Sequence, residues 1–181
     1  MIQKKITHYF LIVGILICSL SCQKIEQKVV EKTEQKKERK IDNIVFSYSH
    51  SRRIPFSLVT ICISKTAKND DAFIDVLCKP MNNDREWRYS NIDTSFYIGL
   101  QTFDSLARMT ASLEKINLDS AYVRGKDGYS CSISFGAKGK NTSYSFWSPD
   151  YKTSKRGLTE FTTLCEEIVK VAKLNKHDIL D

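Results

Sequence analysis

The sequence contains no G-x-S-x-G element, no phosphate-cradling glycine loop and no H-E-x-x-H, and the four cysteines after Cys22 include no close pair. The patterns that serine hydrolases, nucleotide-binding loops, zinc proteases and structural zinc sites rely on are therefore missing. Histidine is scarce as well. Beyond the N-terminal apolar segment only His50 and His177 remain, so a Ser-His-acid triad would have to be built on one of them. His177 lies near the C-terminus. His50 belongs to Tyr48-Ser49-His50-Ser51-Arg52-Arg53, a polar strand end where a solvated imidazole is expected. The carboxylate pairs Asp70-Asp71 and Glu166-Glu167 read as turn chemistry and helix surface, which gives glycosidase-type catalysis no specific footing. Neither a cofactor nor a metal is expected.

What the chain does have is an address. Lys4 and Lys5 precede an apolar run from Tyr9 to Ile17, and Cys18-Ser19-Leu20-Ser21-Cys22-Gln23 follows. A basic start, a short apolar stretch and small residues at a processing point form the layout of a secretory signal. The apolar run is too short to cross a ~30 Å hydrocarbon core, which takes about 20 helical residues. A cysteine after a small residue permits a further reaction, alkylation of its thiol by a diacylglycerol before the preceding peptide bond is cut.

The segment resembles the lipobox of bacterial lipoproteins, with Ser19 where an apolar residue is usual and Leu20 beside it; Cys18, preceded by bulky Ile17, fits less well. The resemblance implies a signal peptide over residues 1–21 and a mature chain that begins at a palmitate-type acylated Cys22. Two or three acyl chains, at about 0.8 kcal/mol per buried CH₂, would make the membrane attachment effectively permanent. Gln23 and Lys24 follow with no adjacent aspartate. By resemblance to lipoprotein sorting rules, that favours the outer over the inner membrane of the cell envelope, with the body in the periplasm or at the outer face. The alternative for Cys22 is a plain thiol beside an ordinary cleavage site.

Residues 22–43 hold the candidate lipidated cysteine and a stretch of Lys, Glu, Gln, Arg and Asp that has too little apolar surface to offset chain ordering. It reads as a charged stalk. The formal charge of +7 divides into two lysines in the signal, +2 on the stalk and +3 on the body. Basic and acidic residues alternate along the body, an ordinary solvated surface rather than a nucleic-acid footprint. No nucleic acid is expected as a partner.

Residues 44–175 form one domain by length. Ile44 to Ser49 alternates, Phe56 to Ser64 is a β-branched-rich run, and Phe73 to Lys79 is a strand stopped by Pro80. Phe96 to Leu100 adds another. Thr102 is placed to cap a helix whose apolar stripe is Phe103, Leu106, Met109, Leu113 and Ile116. Tyr129, Cys131, Ile133 and Phe135 then alternate with serines, which predicts one buried and one wet face. A four-residue loop over Lys138 to Asn141 would pair Phe135 with Tyr144 and Ile133 with Phe146. Leu158 to Leu174 is an amphipathic helix, and residues 176–181 are a tail expected to fray. The fold class is α+β: an antiparallel sheet, a meander plus a C-terminal hairpin, with two helices packed on one face.

Cys62, Cys78, Cys131 and Cys165 each fall on or near an apolar stripe and read mainly as buried thiols. Cys62 and Cys78 sit on adjacent strands and are the candidate disulfide, although a six-residue turn sets Cys62 nearer Val76. Among the aromatics, Trp147 alternates with Tyr144 and Phe146 so as to point away from them. Trp87, Trp147 and Tyr151 are the candidate anchors for a protein partner, since Trp, Tyr and Arg dominate interface energetics. The competing reading is that Trp147 packs under the turn from Pro149 to Tyr151.

The body resembles small bacterial lipoproteins of unknown function with a charged stalk followed by strands, helix, hairpin and helix. Gly136, Phe146-Trp147-Ser148-Pro149 and the last helix carry the likeness, which implies no activity. The leading expectation is a membrane-anchored, non-catalytic protein-binding module of the envelope, with an immunity-type inhibitor as one version. The alternatives are a small envelope hydrolase centred on His50 and a structural envelope component.

Overall fold

A computed structural model describes residues 40–66, 71–81, 89–137 and 139–180. The expected signal peptide, Cys22, most of the expected stalk and Trp87 lie outside the described residues. β-Branched and aromatic side chains at every second position build the first half of the domain. β1 (Asn43–His50), β2 (Leu58–Lys65), β3 (Asp71–Lys79) and β4 (Ile92–Gly99) form an antiparallel meander. β5 (Tyr129–Ala137) and β6 (Lys140–Trp147) are a hairpin that joins on the far side of β1. Among the described residues the result is a six-stranded antiparallel sheet, in the order β4-β3-β2-β1-β5-β6.

Alternation decides which side is core. Ile44, Phe46 and Tyr48 of β1, Val59, Ile61 and Ile63 of β2, and Cys131, Ile133 and Phe135 of β5 are all buried on one face. Two amphipathic helices close over it: α1 (Leu100–Thr110), extended by a 3-10 turn over Ala111–Lys115, and, later in the chain, the helix Thr159–Val171. Between them come the one-turn helices α2 (Leu118–Ala121) and α3 (Thr153–Arg156), so the long C-terminal helix is α4. Phe103, Leu106, Phe161, Leu164 and Ile168 are the helical contribution to the core. None of the helices among the described residues is long and apolar enough to cross a membrane.

Four expectations need correction. Thr102 does not cap α1; the helix begins at Leu100, straight out of β4, with Gly99 extended before it. The β5–β6 register differs as well: Phe135 faces Thr142, Ile133 faces Tyr144 and Cys131 faces Phe146. Ala137 pairs with Lys140, so the turn is tighter than the sequence implied. The offset is two residues, an even number, so every side chain keeps its face.

Cys62 and Cys78 do not form a disulfide; both thiols are free. Cys62 pairs with Asp75 on the uncovered face, while Cys78 pairs with Val59 and is buried in the core. They point to opposite sides of the sheet, which no rotamer can bridge. Burial pushes the Cys78 thiol up to about 11.

The C-terminal tail is docked rather than frayed. A 3-10 turn over Lys176–Asp178, capped by Asn175 Oδ1 accepting from the His177 N–H, leads Ile179 into full burial. Arg53 Nη2 donates to the His177 carbonyl at 2.7 Å, pinning the tail beside the β1–β2 connection.

Candidate functional site

β6 is the last strand of the sheet and pairs with β5 on one side only among the described residues. From Asn141 to Trp147 it carries no charged residue and no proline. Natural edges are usually blunted by Lys, Pro, a bulge or a covering element; this stretch has Ser143 and Ser145 exposed instead. Beside it runs a groove of about 670 Å³ lined by Leu118, Asp119, Tyr122, Thr142, Tyr144 and Phe146. Leu118 and Tyr122, 57% and 59% exposed, form its outer wall. Asn117 Oδ1 accepts from the Asp119 N–H at 3.0 Å and starts α2. Residues four apart on one helical turn share a side, so Leu118 and Tyr122 face the groove together.

A second cavity of about 540 Å³ lies between α1 and the start of β1, against Lys65, Asp104 and Arg108. Lys65 Nζ already pairs with the Asp104 carboxylate at 2.8 Å and sits over the Phe103 ring. Those charges serve the helix–sheet contact.

The end of β6 is a corner held by one buried guanidinium. Arg156 is 3% exposed. Its Nε donates to the Ala121 carbonyl at 3.0 Å, Nη1 to Ser148 at 2.6 Å and Tyr151 at 3.0 Å, and Nη2 to Trp147 at 3.0 Å. Burial lowers its pKa, against the opposing pull of Asp150 and Tyr129. Ser148 and Lys152 are left-handed without being glycine, at φ 35° and 53°, a conformation that costs energy and persists only when neighbours enforce it.

Trp147 and Tyr151 do come together here, with ring centroids 6.3 Å apart at 66°. The indole covers the 125–128 segment: a Cβ on Gly125 would fall inside its ring, and one on Gly128, at φ +146°, would stand 2.8 Å from it. Trp147 is thus a packing element of the corner. Tyr151, 46% exposed with Lys152 Nζ 4.9 Å over its ring, offers the open surface.

His50 stands at the other side of β5. It faces Tyr129, with ring centroids 6.5 Å apart, and Nδ1 accepts from the Arg52 N–H at 2.9 Å. Burial, and behind it the nearby Asp150, raises the Tyr129 pKa. Burial, then Arg53, lowers the His50 pKa below 6.5. An arginine beside the imidazole opposes the protonation that a general base must undergo. The unfolded chain takes up this proton more readily, so stability is complete above pH 6.5 and falls as the pH drops through the window just below it. His50→Gln is expected to flatten that limb when urea midpoints are compared across it; an unchanged slope would show that His50 does not set it.

Among the described residues no group of three or more His, Cys, Asp or Glu side chains is placed to hold a metal ion. Comparison of the chain with protein-family models and with curated proteins returns no match. The class defined by the fold is an α+β domain with a six-stranded antiparallel sheet and few, short helices packed against it.

Sequence reasoning missed Leu118, with Tyr122 as its companion, and it missed Arg156. The Asn117-Leu118-Asp119 start signal was available for the first. A lone arginine at the end of α3 carries no local mark of burial.

Proposed function

We propose that this chain is a lipid-anchored envelope protein whose domain binds an extended segment of a protein partner without catalysing a reaction on it. The observation that carries the reading is the uncharged β6 edge beside the Leu118–Tyr122 groove. A strand added to β6 would take its affinity from main-chain hydrogen bonds, while alternate side chains would drop into the groove at about 6.8 Å intervals. The edge has no charge between Asn141 and Trp147, so the matching occupant is an uncharged strand with apolar residues at alternate positions. Tyr151 continues the surface past the strand end.

The anchor is the residence half of the proposal and rests on the N-terminal segment. Mass spectrometry of the purified product should find a mature chain that starts at acylated Cys22. Unmodified or full-length, water-soluble material would remove the membrane from the reading.

The binding half is tested by placing charges on the edge. Ser143→Lys combined with Leu118→Glu should abolish the complex recovered by cross-linking in the intact envelope, a loss of at least tenfold. Ser95→Lys, on the opposite edge strand β4, should leave it intact. Recovery that is equal in all three proteins, each with a wild-type circular dichroism spectrum, would overturn β6 as the binding edge.

A further inference from the structure

The core holds two thiols from distant parts of the chain. Cys131 lies on β5 and Cys165 on α4, both buried, and Cys131 stands close enough to add to the effect of burial in raising the Cys165 thiol pKa. Independent packing geometry puts them together. Phe146 is the cross-strand neighbour of Cys131, and its ring meets Phe161 edge-on with centroids 4.9 Å apart. Phe161 is one helical turn before Cys165, on the same side of α4. The helix therefore crosses the sheet where Phe146–Phe161 and Cys131–Cys165 are adjacent contacts of a single layer.

The same topology separates the other cysteines. Cys62 is on the uncovered face. Cys78 shares the core face but sits on β3, three strand spacings from β5, or about 14 Å. Disulfide formation needs Cα atoms within about 7 Å, so Cys131 with Cys165 is the pairing that the fold favours.

We propose that Cys131 and Cys165 are a disulfide-forming pair that cross-links α4 to β5 when the chain folds in the presence of a small-molecule or protein disulfide. The thiolate of one cysteine attacks the external disulfide, releasing one thiol and leaving a mixed disulfide. The thiolate of the other displaces the second thiol and forms the internal S–S bond. Two S–H bonds are lost, the two electrons reduce the external disulfide to two thiolates, and these take up the two released protons through solvent to leave as two thiols. Burial, together with its contact to Cys131, holds the Cys165 thiol protonated in the folded domain. Thiolate attack therefore belongs to the stage before α4 has closed over the sheet. The cross-link would enclose the β5–β6 turn, β6, the Arg156 corner and the first half of α4. The inference depends neither on Cys22 nor on the β6 edge.

The test uses the full mature chain, purified under reduction in detergent, unfolded, and refolded in a glutathione redox buffer. The expected product has an intact mass lower by two hydrogens. Its tryptic map should contain one linked peptide pair, since Cys62, Cys78, Cys131 and Cys165 fall on different tryptic peptides. Its thermal midpoint should lie about 10 °C above that of the reduced protein. Cys78→Ala should keep the mass change and Cys131→Ala should lose it. If the wild-type chain refolds with Cys131 and Cys165 still open to alkylation in denaturant, or linked to Cys62 or Cys78, the pairing is wrong; that readout does not require any variant to fold.

Discussion

Replacing Arg156 with alanine is expected to cost the domain about 3–5 kcal/mol, among the largest effects available to one side chain outside the apolar core. Four carbonyls, from Ala121, Trp147, Ser148 and Tyr151, accept its hydrogen bonds. Hydrogen bonds from a charged donor contribute about 1.5–3 kcal/mol each. They are not additive here, because the freed corner can partly reopen to water. The corner has a second reason to open: Ser148 and Lys152 are held in left-handed conformations, and the guanidinium bonds the Ser148 carbonyl directly. Arg156→Lys should recover less than half of the loss, since a single ammonium cannot reach carbonyls that lie around a planar fork. Equilibrium urea unfolding checks both variants, and a loss below about 1 kcal/mol for alanine would mean that the corner stands without its staple.

Removing residues 176–181 should destabilise the domain by a similar amount, about 3–5 kcal/mol. The segment carries Ile179, fully buried, and the carbonyl of His177 that accepts from Arg53. Ile179→Ala alone should account for about 2–4 kcal/mol, because a buried isoleucine truncated to alanine loses its transfer energy and leaves a cavity. The Arg53 bond and the exposed Lys176–Glu166 pair, at 3.6 Å, make up the remainder, the surface pair contributing little. Denaturant midpoints for the truncated chain and for Ile179→Ala decide the split. Equal stability of truncated and full-length protein would restore the fraying tail that the sequence implies.

Why the tail misled is instructive. Asn175-Lys176-His177-Asp178 is polar throughout, and its one fully buried residue, Ile179, is too short a signal to stand out against that background. The strands were legible for the opposite reason. Tyr129 to Phe135 repeats its alternation often enough to fix the core face of β5, and the stripe from Phe161 to Ile168 does the same for α4. The Leu118–Tyr122 wall of the groove was not visible, because nothing local shows that α2 lies against the edge of β6. Trp147 was legible as a residue set apart from the alternation of Tyr144 and Phe146, yet its contact with Gly125 and Gly128 links two loops whose proximity is a property of the assembled corner.

Read alone, the sequence determined the class of domain and the face to which each strand and helix turns, because side-chain direction repeats with the local periods of two and 3.6 residues. Tertiary structure alone decided the offset of the β5–β6 hairpin, the parting of Cys62 from Cys78, the meeting of Cys131 with Cys165, the burial of Arg156 and the docking of Ile179. Each of those is a contact between residues whose relation depends on how the strands align and where the chain returns, and no local repeat encodes that.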